Sequence, residues 1–116
     1  MNDTIRLGEI AHARSGDKGG HANVGVIAYS QSGYEHVRSV VTARAVEEFF
    51  ASLQPSRVDR FELPGIYALN FLLYDVLQGG ASQSLRTDSQ GKVLGIAVLE
   101  MQISRPDDLE ALQKGS

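Results

Sequence analysis

The segment Thr42-Ala-Arg-Ala-Val-Glu-Glu-Phe-Phe-Ala-Ser-Leu-Gln-Pro55 carries the clearest structural signal in the sequence. Its large apolar residues recur at positions i, i+3, i+4 and i+7, and they are Val46, Phe49, Phe50 and Leu53. This spacing places one apolar stripe along a helix. Thr42 is a favourable N-cap, and Pro55 ends the helix because proline cannot donate to the hydrogen-bond ladder. We therefore predict an amphipathic helix over residues 43–53.

Alternating and β-branched residues on both sides of this helix predict strands. The predicted strands cover residues 4–11, 22–29, 58–63, 82–87 and 93–103, of which the last is the longest. Residues 12–21 contain three glycines and almost nothing apolar, so a loop is predicted there. Turns are predicted over residues 30–33 and 88–91. Residues 34–41 suit a short helix, although their three valines also suit a strand.

The apolar stretch from Ile66 to Leu77 predicts a second main helix. Its core face would carry Leu69, Leu72, Leu73 and Val76, and Gly79-Gly80 would supply the C-cap. Asn70 and Asp75 are its only clearly polar members, so this helix would need burial on two sides. Because a two-layer domain covers only one side, we expect an oligomer or a complex with another chain.

The order of these elements predicts an α+β fold. Two main helices on one face of a mostly antiparallel sheet make an economical two-layer sandwich, which is a variant of the ferredoxin-like fold. Residues 1–106 are predicted to form a single domain, since 116 residues fit one domain of ordinary size. Residues 107–116 are predicted to be a polar tail with a helical turn or two.

Composition excludes several classes of protein. The net charge of −3 argues against general nucleic-acid binding, and the longest apolar stretch is too short to cross a bilayer. The sequence has no cysteine, and its first residues do not resemble a signal peptide, so we expect a cytoplasmic protein. We expect no cofactor and no metal; a site formed by His12, His21 and Asp17 is the alternative.

Two glycine-rich segments concentrate basic residues in an otherwise acidic chain. In residues 14–23, Arg14 and Lys18 could neutralise an anion, Asp17 could orient one of them, and Asn23 lies at the end of the segment. A solvated hairpin loop is the alternative for this segment. In residues 79–92, Arg86 and Lys92 lie beside the predicted turn, with Asp88 as a partner for Arg86. A plain hairpin is the alternative here.

A third segment, Leu63-Pro-Gly-Ile-Tyr-Ala-Leu-Asn-Phe71, contains a polar residue in an apolar setting. Asn70 could point into a pocket, or it could satisfy a buried backbone group. We predict that the loop at residues 17–23 and the hairpin at residues 86–92 lie together and hold an anion.

Three motifs in register resemble the C-terminal domain of the acyclic terpene utilisation (AtuA) family. They are Ala13-Arg-Ser-Gly-Asp-Lys-Gly-Gly-His-Ala-Asn-Val-Gly-Val-Ile-Ala28, the segment at residues 63–71, and Gly79-Gly-Ala-Ser-Gln-Ser-Leu-Arg-Thr-Asp-Ser-Gln-Gly-Lys92 followed by Leu99-Glu-Met101. The resemblance covers about residues 5–103. It implies that one functional surface contains Asp17, Lys18, Asn23, Asn70, Arg86, Asp88 and Lys92.

The resemblance also implies a setting for the protein. Family members are tied to the breakdown of acyclic terpenes and branched acyl compounds, expected at the acyl-CoA stage, and longer members carry a large N-terminal domain that this sequence lacks. The chain is then either a free-standing small subunit or an excised domain, and we expect an accessory subunit or domain that contributes to a site completed by a larger AtuA-type partner. A self-assembling module that binds a small anion or acyl-CoA without catalysis is one alternative. A purely structural interaction domain is another.

Overall fold

Six antiparallel strands form two sheets in the computed structural model, which describes residues 3–76, 90–107 and 109–113. The strands are β1 (Thr4–Arg6), β2 (Ala11–Lys18), β3 (His21–Ala28), β4 (Arg57–Leu63), β5 (Ala68–Tyr74) and β6 (Gln102–Ser104). The larger sheet has the order β2-β3-β5-β4, and β1 pairs with β6 in the smaller one. Both sheets are antiparallel throughout.

Four helices accompany these sheets in the described residues: α1 (Gln31–Val40), α2 (Ala43–Phe49), α3 (Gln90–Val98) and α4 (Leu109–Leu112). The predicted helices over residues 34–41 and 43–53 are confirmed, and the second of them ends in a 3-10 turn over Ala51–Leu53. The predicted N-cap is also confirmed, since the Thr42 hydroxyl accepts the N–H of Ala45 at 3.0 Å. The turn predicted over residues 30–33 is wrong, because Ser30 caps α1 by accepting the N–H of Gly33.

The hydrophobic core lies between one face of the larger sheet and the helices. Val24 and Val26 of β3 lie opposite Phe71 and Leu69 of β5, and all four side chains are fully buried. Each of α1, α2 and α3 contributes to the same core, with Val37, Val46 and Val98 respectively. The predicted α+β class, with a mostly antiparallel sheet and a ferredoxin-like arrangement, is confirmed.

The second main helix predicted over residues 66–77 is wrong, because Ala68–Tyr74 form strand β5. Its apolar residues satisfy both periods: Leu69, Leu72 and Leu73 fit a helix, while Leu69, Phe71 and Leu73 fit one face of a strand. Pairing with β3 on one side and β4 on the other decides for the strand. The expectation of an oligomer rested on an apolar helix that needs burial on two sides. Because Ala68–Tyr74 form a strand, that reason no longer holds.

The loop predicted over residues 12–21 is also wrong, because this segment forms most of a β-hairpin. Strands β2 and β3 pair from Ala11 with Ala28 to Lys18 with His21. Gly19, at φ +64°, occupies the first central position of the two-residue turn, where such hairpins need a positive φ. The small residues of β2 belong to a strand that a helix approaches closely, since Ser15 Oγ accepts the N–H of Gly95 in α3 at 2.7 Å.

The longest predicted strand, over residues 93–103, is wrong as well. Residues 90–98 form α3, and only Gln102–Ser104 form a strand. In an alternating strand Ile96 would share a face with the buried Leu94 and Val98, yet Ile96 is 70% exposed. The helical period explains this pattern, because residues 94 and 98 are one turn apart.

The strand predicted over residues 4–11 is interrupted. A 3-10 turn over Leu7–Glu9 separates β1 from β2, and Leu7 and Ile10 are both fully buried. Two buried residues three positions apart fit a turn and not an alternating strand.

The segment after Pro106, predicted as a polar tail, contains α4, and Leu112 of this helix is buried in the core. The predicted C-cap at Gly79-Gly80, the strand at 82–87 and residues 88 and 89 of the predicted turn lie outside the described residues. Among the helices that the structure describes, none has the length and apolar character needed to span a membrane.

Candidate functional site

One face of the larger sheet is turned away from the helices, and we call it the open sheet face. A row of four residues crosses this face at one level: Arg14 of β2, Gly25 of β3, Asn70 of β5 and Phe61 of β4. Side chains in a strand alternate between faces, so these residues lie on the side opposite the buried Val24 and Phe71. Gly25 lacks a side chain and leaves a gap between its two polar neighbours.

This gap is the floor of a hollow of about 220 Å³ on the open sheet face. Arg14, Asn23 and Asn70 supply its polar lining, and Ile27, Leu63 and Ile66 supply much of the apolar lining. A Cβ atom placed on Gly25 would lie 3.7 Å from both the Arg14 carbonyl oxygen and Asn70 Oδ1. The backbone floor therefore lies directly beside the Asn70 carboxamide. We call this cavity the Gly25 hollow.

The three polar side chains of the Gly25 hollow have no polar partner among the described residues. Arg14 is exposed, and Asn23 and Asn70 are half-buried. In the part of the chain that the structure describes, none of the three makes a side-chain hydrogen bond or an ion pair. The guanidinium can present several N–H donors in a planar fork, and each carboxamide can present an NH₂ donor. The hollow therefore offers hydrogen-bond donors and a positive charge next to apolar walls.

The structure does not bring all the predicted site residues together. Asp17 pairs with Ala22, so its register position belongs to the helix-covered face and not to the open one. Lys18 ends β2 at the hairpin turn, and Lys92 lies in the first turn of α3. Arg86 and Asp88 lie outside the described residues. The juxtaposition of residues 17–23 with residues 86–92 stays a prediction.

A second cluster of polar side chains lies on the open sheet face, and it was not predicted from the sequence. The Tyr74 hydroxyl donates to Asp59 Oδ2 at 3.0 Å, and an Arg57 nitrogen donates to the same oxygen at 3.0 Å. The Arg57 guanidinium also lies 4.3 Å from the centre of the Tyr74 ring. Interaction with Tyr74, followed by Asp59, raises the pKa of Arg57 above its ordinary value, so the guanidinium stays charged.

His21 joins this group at the hairpin end of the open sheet face. Its ring packs edge-on against Tyr74 with centres 5.0 Å apart, and its Nδ1 accepts the backbone N–H of Asp75 at 3.0 Å. A neutral His21 ring therefore carries its proton on Nε2. The Asp75 carboxylate in turn accepts the hydroxyl of Ser56. This network is not predictable from residue spacing, because the apolar residues of β5 also fit the period of a helix.

Exposed apolar side chains border the Gly25 hollow. Phe61 and Leu63 of β4 are 47% and 43% exposed, and Ile66 and Tyr67 of the following turn are 61% and 38% exposed. We call these four side chains the apolar rim. Of these four residues, Leu63 and Ile66 also line the Gly25 hollow.

Comparison with known proteins places these observations in a family. No curated protein and no solved structure matches the chain. The family model of the AtuA ferredoxin-like domain matches residues 5–104, which include every strand of both sheets except the first residue of β1. The match also includes Arg14, Gly25 and Asn70, and it agrees with the antiparallel α+β architecture. This chain belongs to the AtuA ferredoxin-like domain family.

Proposed function

We propose that this chain is a cytoplasmic accessory domain that contributes the Gly25 hollow to an anion-binding site shared with a larger AtuA-type partner. The setting expected from the family is the catabolism of acyclic terpenes or branched acyl-CoA compounds. One observation supports the proposal most: Arg14, whose guanidinium has no ion-pair partner among the described residues, lines a single hollow together with the carboxamides of Asn23 and Asn70.

The chemistry of the hollow favours a ligand that is anionic at one end and apolar at the other. A guanidinium binds a carboxylate or phosphate through two parallel hydrogen bonds, and carboxamide N–H groups add further donors. The walls formed by Ile27, Leu63 and Ile66 suit a branched hydrocarbon chain next to that anion. The carboxylate of a branched acid, or the charged part of an acyl-CoA, has this combination.

The apolar rim supports the shared nature of the site. A hollow of about 220 Å³ is smaller than the cavities that usually enclose a cofactor-sized ligand. Covering Phe61, Leu63, Ile66 and Tyr67 with a partner surface would bury apolar area and would close the hollow from above. The family's large domain is the partner that we expect on this surface.

Anion binding is tested on the reconstituted complex by isothermal titration with 3-methylbutanoate and its CoA thioester. Arg14→Gln removes the charge and keeps a polar side chain with an N–H donor, so we expect the affinity to fall about ten- to a hundredfold, as for a charged hydrogen bond. Arg44→Gln is the matched control, because Arg44 is an exposed residue of α2 on the other side of the sheet that pairs only with Glu48 in the described structure. Equal affinity of the Arg14 and Arg44 variants for both ligands would refute anion binding at this hollow.

Docking is tested by capture from the native host with identification of the retained protein. Phe61→Ser and Ile66→Ser should abolish retention of an AtuA-type large-domain protein. Ile96→Ser is the matched control, because Ile96 is 70% exposed on α3 and lies away from the open sheet face. Retention of that protein by the rim variants at the level of the parent would contradict the proposed surface.

A self-assembling ligand-binding module is the second candidate, and the same apolar rim favours it. Two copies could bury their rims against each other and close both hollows. Light scattering of the purified chain distinguishes the candidates: a dimer that Phe61→Ser converts to a monomer supports self-assembly. A parent monomer that joins the large-domain protein supports the accessory role.

A further inference from the structure

Strand β4 is an outer strand of the larger sheet, and in the part of the chain that the structure describes it pairs with β5 alone. No backbone hydrogen bond reaches its other side from those residues. Outer strands are usually protected from foreign strands by a proline, a bulge or very short length. β4 has none of these, since Arg57–Leu63 pair with β5 without interruption. We call the outer side of this strand the β4 edge.

The backbone groups of the β4 edge belong to every second residue of the strand. The Tyr74 carbonyl of β5 accepts the N–H of Ser56 at 3.0 Å, so Tyr74 turns its backbone groups toward β4. Strand residues alternate between their two neighbours, so every second residue of β5 bonds to β4, and Phe61, opposite Asn70, bonds to β5. The remaining residues of β4 turn N–H and C=O groups outward, and they are Val58, Arg60 and Glu62.

The charges of β4 select one register for pairing with a second copy of the same strand. Two identical antiparallel strands in one sheet are related by a twofold axis, so the pairing is centred on one residue that lies opposite itself. A centre at Asp59, Arg60 or Glu62 would place two like charges opposite each other, which is unfavourable. A centre at Phe61 instead places Arg60 of each copy opposite Glu62 of the other.

This register also suits the backbone and the apolar side chains. Because Arg60 and Glu62 turn their backbone groups outward, they would form hydrogen-bonded pairs with each other across the axis. Phe61 would form the central non-hydrogen-bonded pair, in which side chains lie closest, and its side chain is 47% exposed in the single chain. Pro64 ends the new ladder, since proline has no N–H to donate.

The Arg60 side chain is already ordered at the β4 edge. Its guanidinium donates to the carbonyl groups of Arg38 and Val41 and to Glu62 of the same chain at 3.0 Å, and it is 22% exposed. Pairing therefore costs little further side-chain entropy at this position. Glu62 of the second copy would complete a ring of alternating charges around the two arginines.

We propose that the β4 edge pairs with the β4 edge of a second copy of this chain, centred on Phe61, to form one continuous eight-stranded sheet. The alternating charges disfavour other strands and other registers, so they select this partner. The dimer uses the edge of the sheet and leaves the open sheet face of both copies accessible. It is therefore independent of the ligand and the large-domain partner proposed above, and it differs from an assembly in which two apolar rims stack.

The outward amides are tested by hydrogen exchange of the isotope-labelled full chain, followed by NMR at chain concentrations of about 0.05 mM and about 1 mM. Exchange at Arg60 and Glu62 should slow by about two- to fourfold at the higher concentration, as mass action requires for a dimer with a dissociation constant of about 1 mM or less. Amides of α2 should exchange equally at both concentrations. Equal exchange at Arg60 and Glu62 as well would overturn the proposal.

A disulfide tests the geometry, because the chain has no cysteine of its own. Residues in a non-hydrogen-bonded pair have Cα atoms about 4.5 Å apart, within reach of a disulfide, whereas stacked sheets lie about 10 Å apart. Phe61→Cys should therefore form a disulfide dimer in a glutathione buffer at least about tenfold faster than Ile96→Cys, whose site on α3 is 70% exposed. Equal rates for the two variants would contradict edge pairing.

Two further experiments test the register and the charges. A mixture of Asp59→Cys and Leu63→Cys chains should form the mixed disulfide, and neither variant should link to itself, because this register places residue 59 opposite residue 63. Glu62→Arg should weaken the dimer about tenfold by placing arginines opposite each other, whereas Glu47→Arg on α2 should not change it. Self-linking of either cysteine variant in place of the mixed product, or parental association of Glu62→Arg, would refute the register.

Discussion

Substitutions at Gly25 separate the role of the hollow from the stability of the sheet. A Cβ at this position would meet the Arg14 carbonyl oxygen and Asn70 Oδ1 at 3.7 Å, which is ordinary van der Waals contact. Gly25→Ala therefore fits the folded state. The substitution also restricts the unfolded chain, so the free energy of unfolding should rise by about 0.4–1 kcal/mol. For a domain of this size this corresponds to roughly 2–5 °C in melting temperature.

A larger side chain at the same position should block the ligand. Gly25→Val suits a strand and projects onto the open sheet face, where it fills the floor of the hollow between Arg14 and Asn70. The variant should fold, with a melting temperature within a few degrees of the parent, and its affinity for 3-methylbutanoate in the complex should fall at least about tenfold. The two assays are urea unfolding followed by circular dichroism and isothermal titration. Parental affinity in Gly25→Val would refute the placement of the ligand, and a loss of more than about 1 kcal/mol in Gly25→Ala would refute the open floor.

Three further substitutions test the fold around this site. A Cβ on Gly95 would lie 2.8 Å from Ser15 Oγ, so Gly95→Ala should lower the free energy of unfolding by about 1–2 kcal/mol, measured by urea unfolding. Adding Ser15→Gly to this variant should restore part of the loss. An unchanged free energy of unfolding in Gly95→Ala would show that α3 does not approach β2 so closely. Leu112→Ala should cost about 2–4 kcal/mol by the same measurement, because Leu112 is buried in the core, and an effect below 0.5 kcal/mol would mean that α4 does not dock. Thr42→Ala should cost about 1 kcal/mol through the lost N-cap of α2, whereas Thr4→Ala, at an exposed position, is expected to cost little.

The elements predicted correctly from the sequence are those in which the apolar residues follow one periodicity, either that of a helix or that of a strand. Helix α2 has a single apolar stripe, a capping residue and a proline stop, so no other structure competes. The stretch at residues 66–77 is apolar at almost every position, so it satisfies a helix and a strand together. Only its pairing with β3 and β4 decides between them, and that pairing is a tertiary contact that local periodicity does not contain.

Strand β2 was missed for a different reason. Its side chains on the helix-covered face are the small Ala11, Ala13 and Ser15, since α3 packs close to this strand. Its open face carries polar residues, so neither face shows the apolar alternation by which strands are recognised. The requirement for small residues comes from a helix about 80 positions later in the chain, and nothing near residue 14 reveals it.

The wrong predictions for β2 and β5 also explain why residue patterns alone did not bring the residues of the Gly25 hollow together. The predicted loop contains Arg14, the predicted strand over residues 22–29 contains Asn23, and the predicted helix contains Asn70, so local periodicity does not join the three on one sheet face. Once these segments become neighbouring strands, the register brings Arg14, Gly25 and Asn70 into one row. The first two motifs that resemble the AtuA family, at residues 13–28 and 63–71, thus meet through the pairing of β3 with β5. Motifs that are far apart in the sequence can define one surface when strand pairing joins them, and here the glycine between the two polar side chains turns that surface into a hollow.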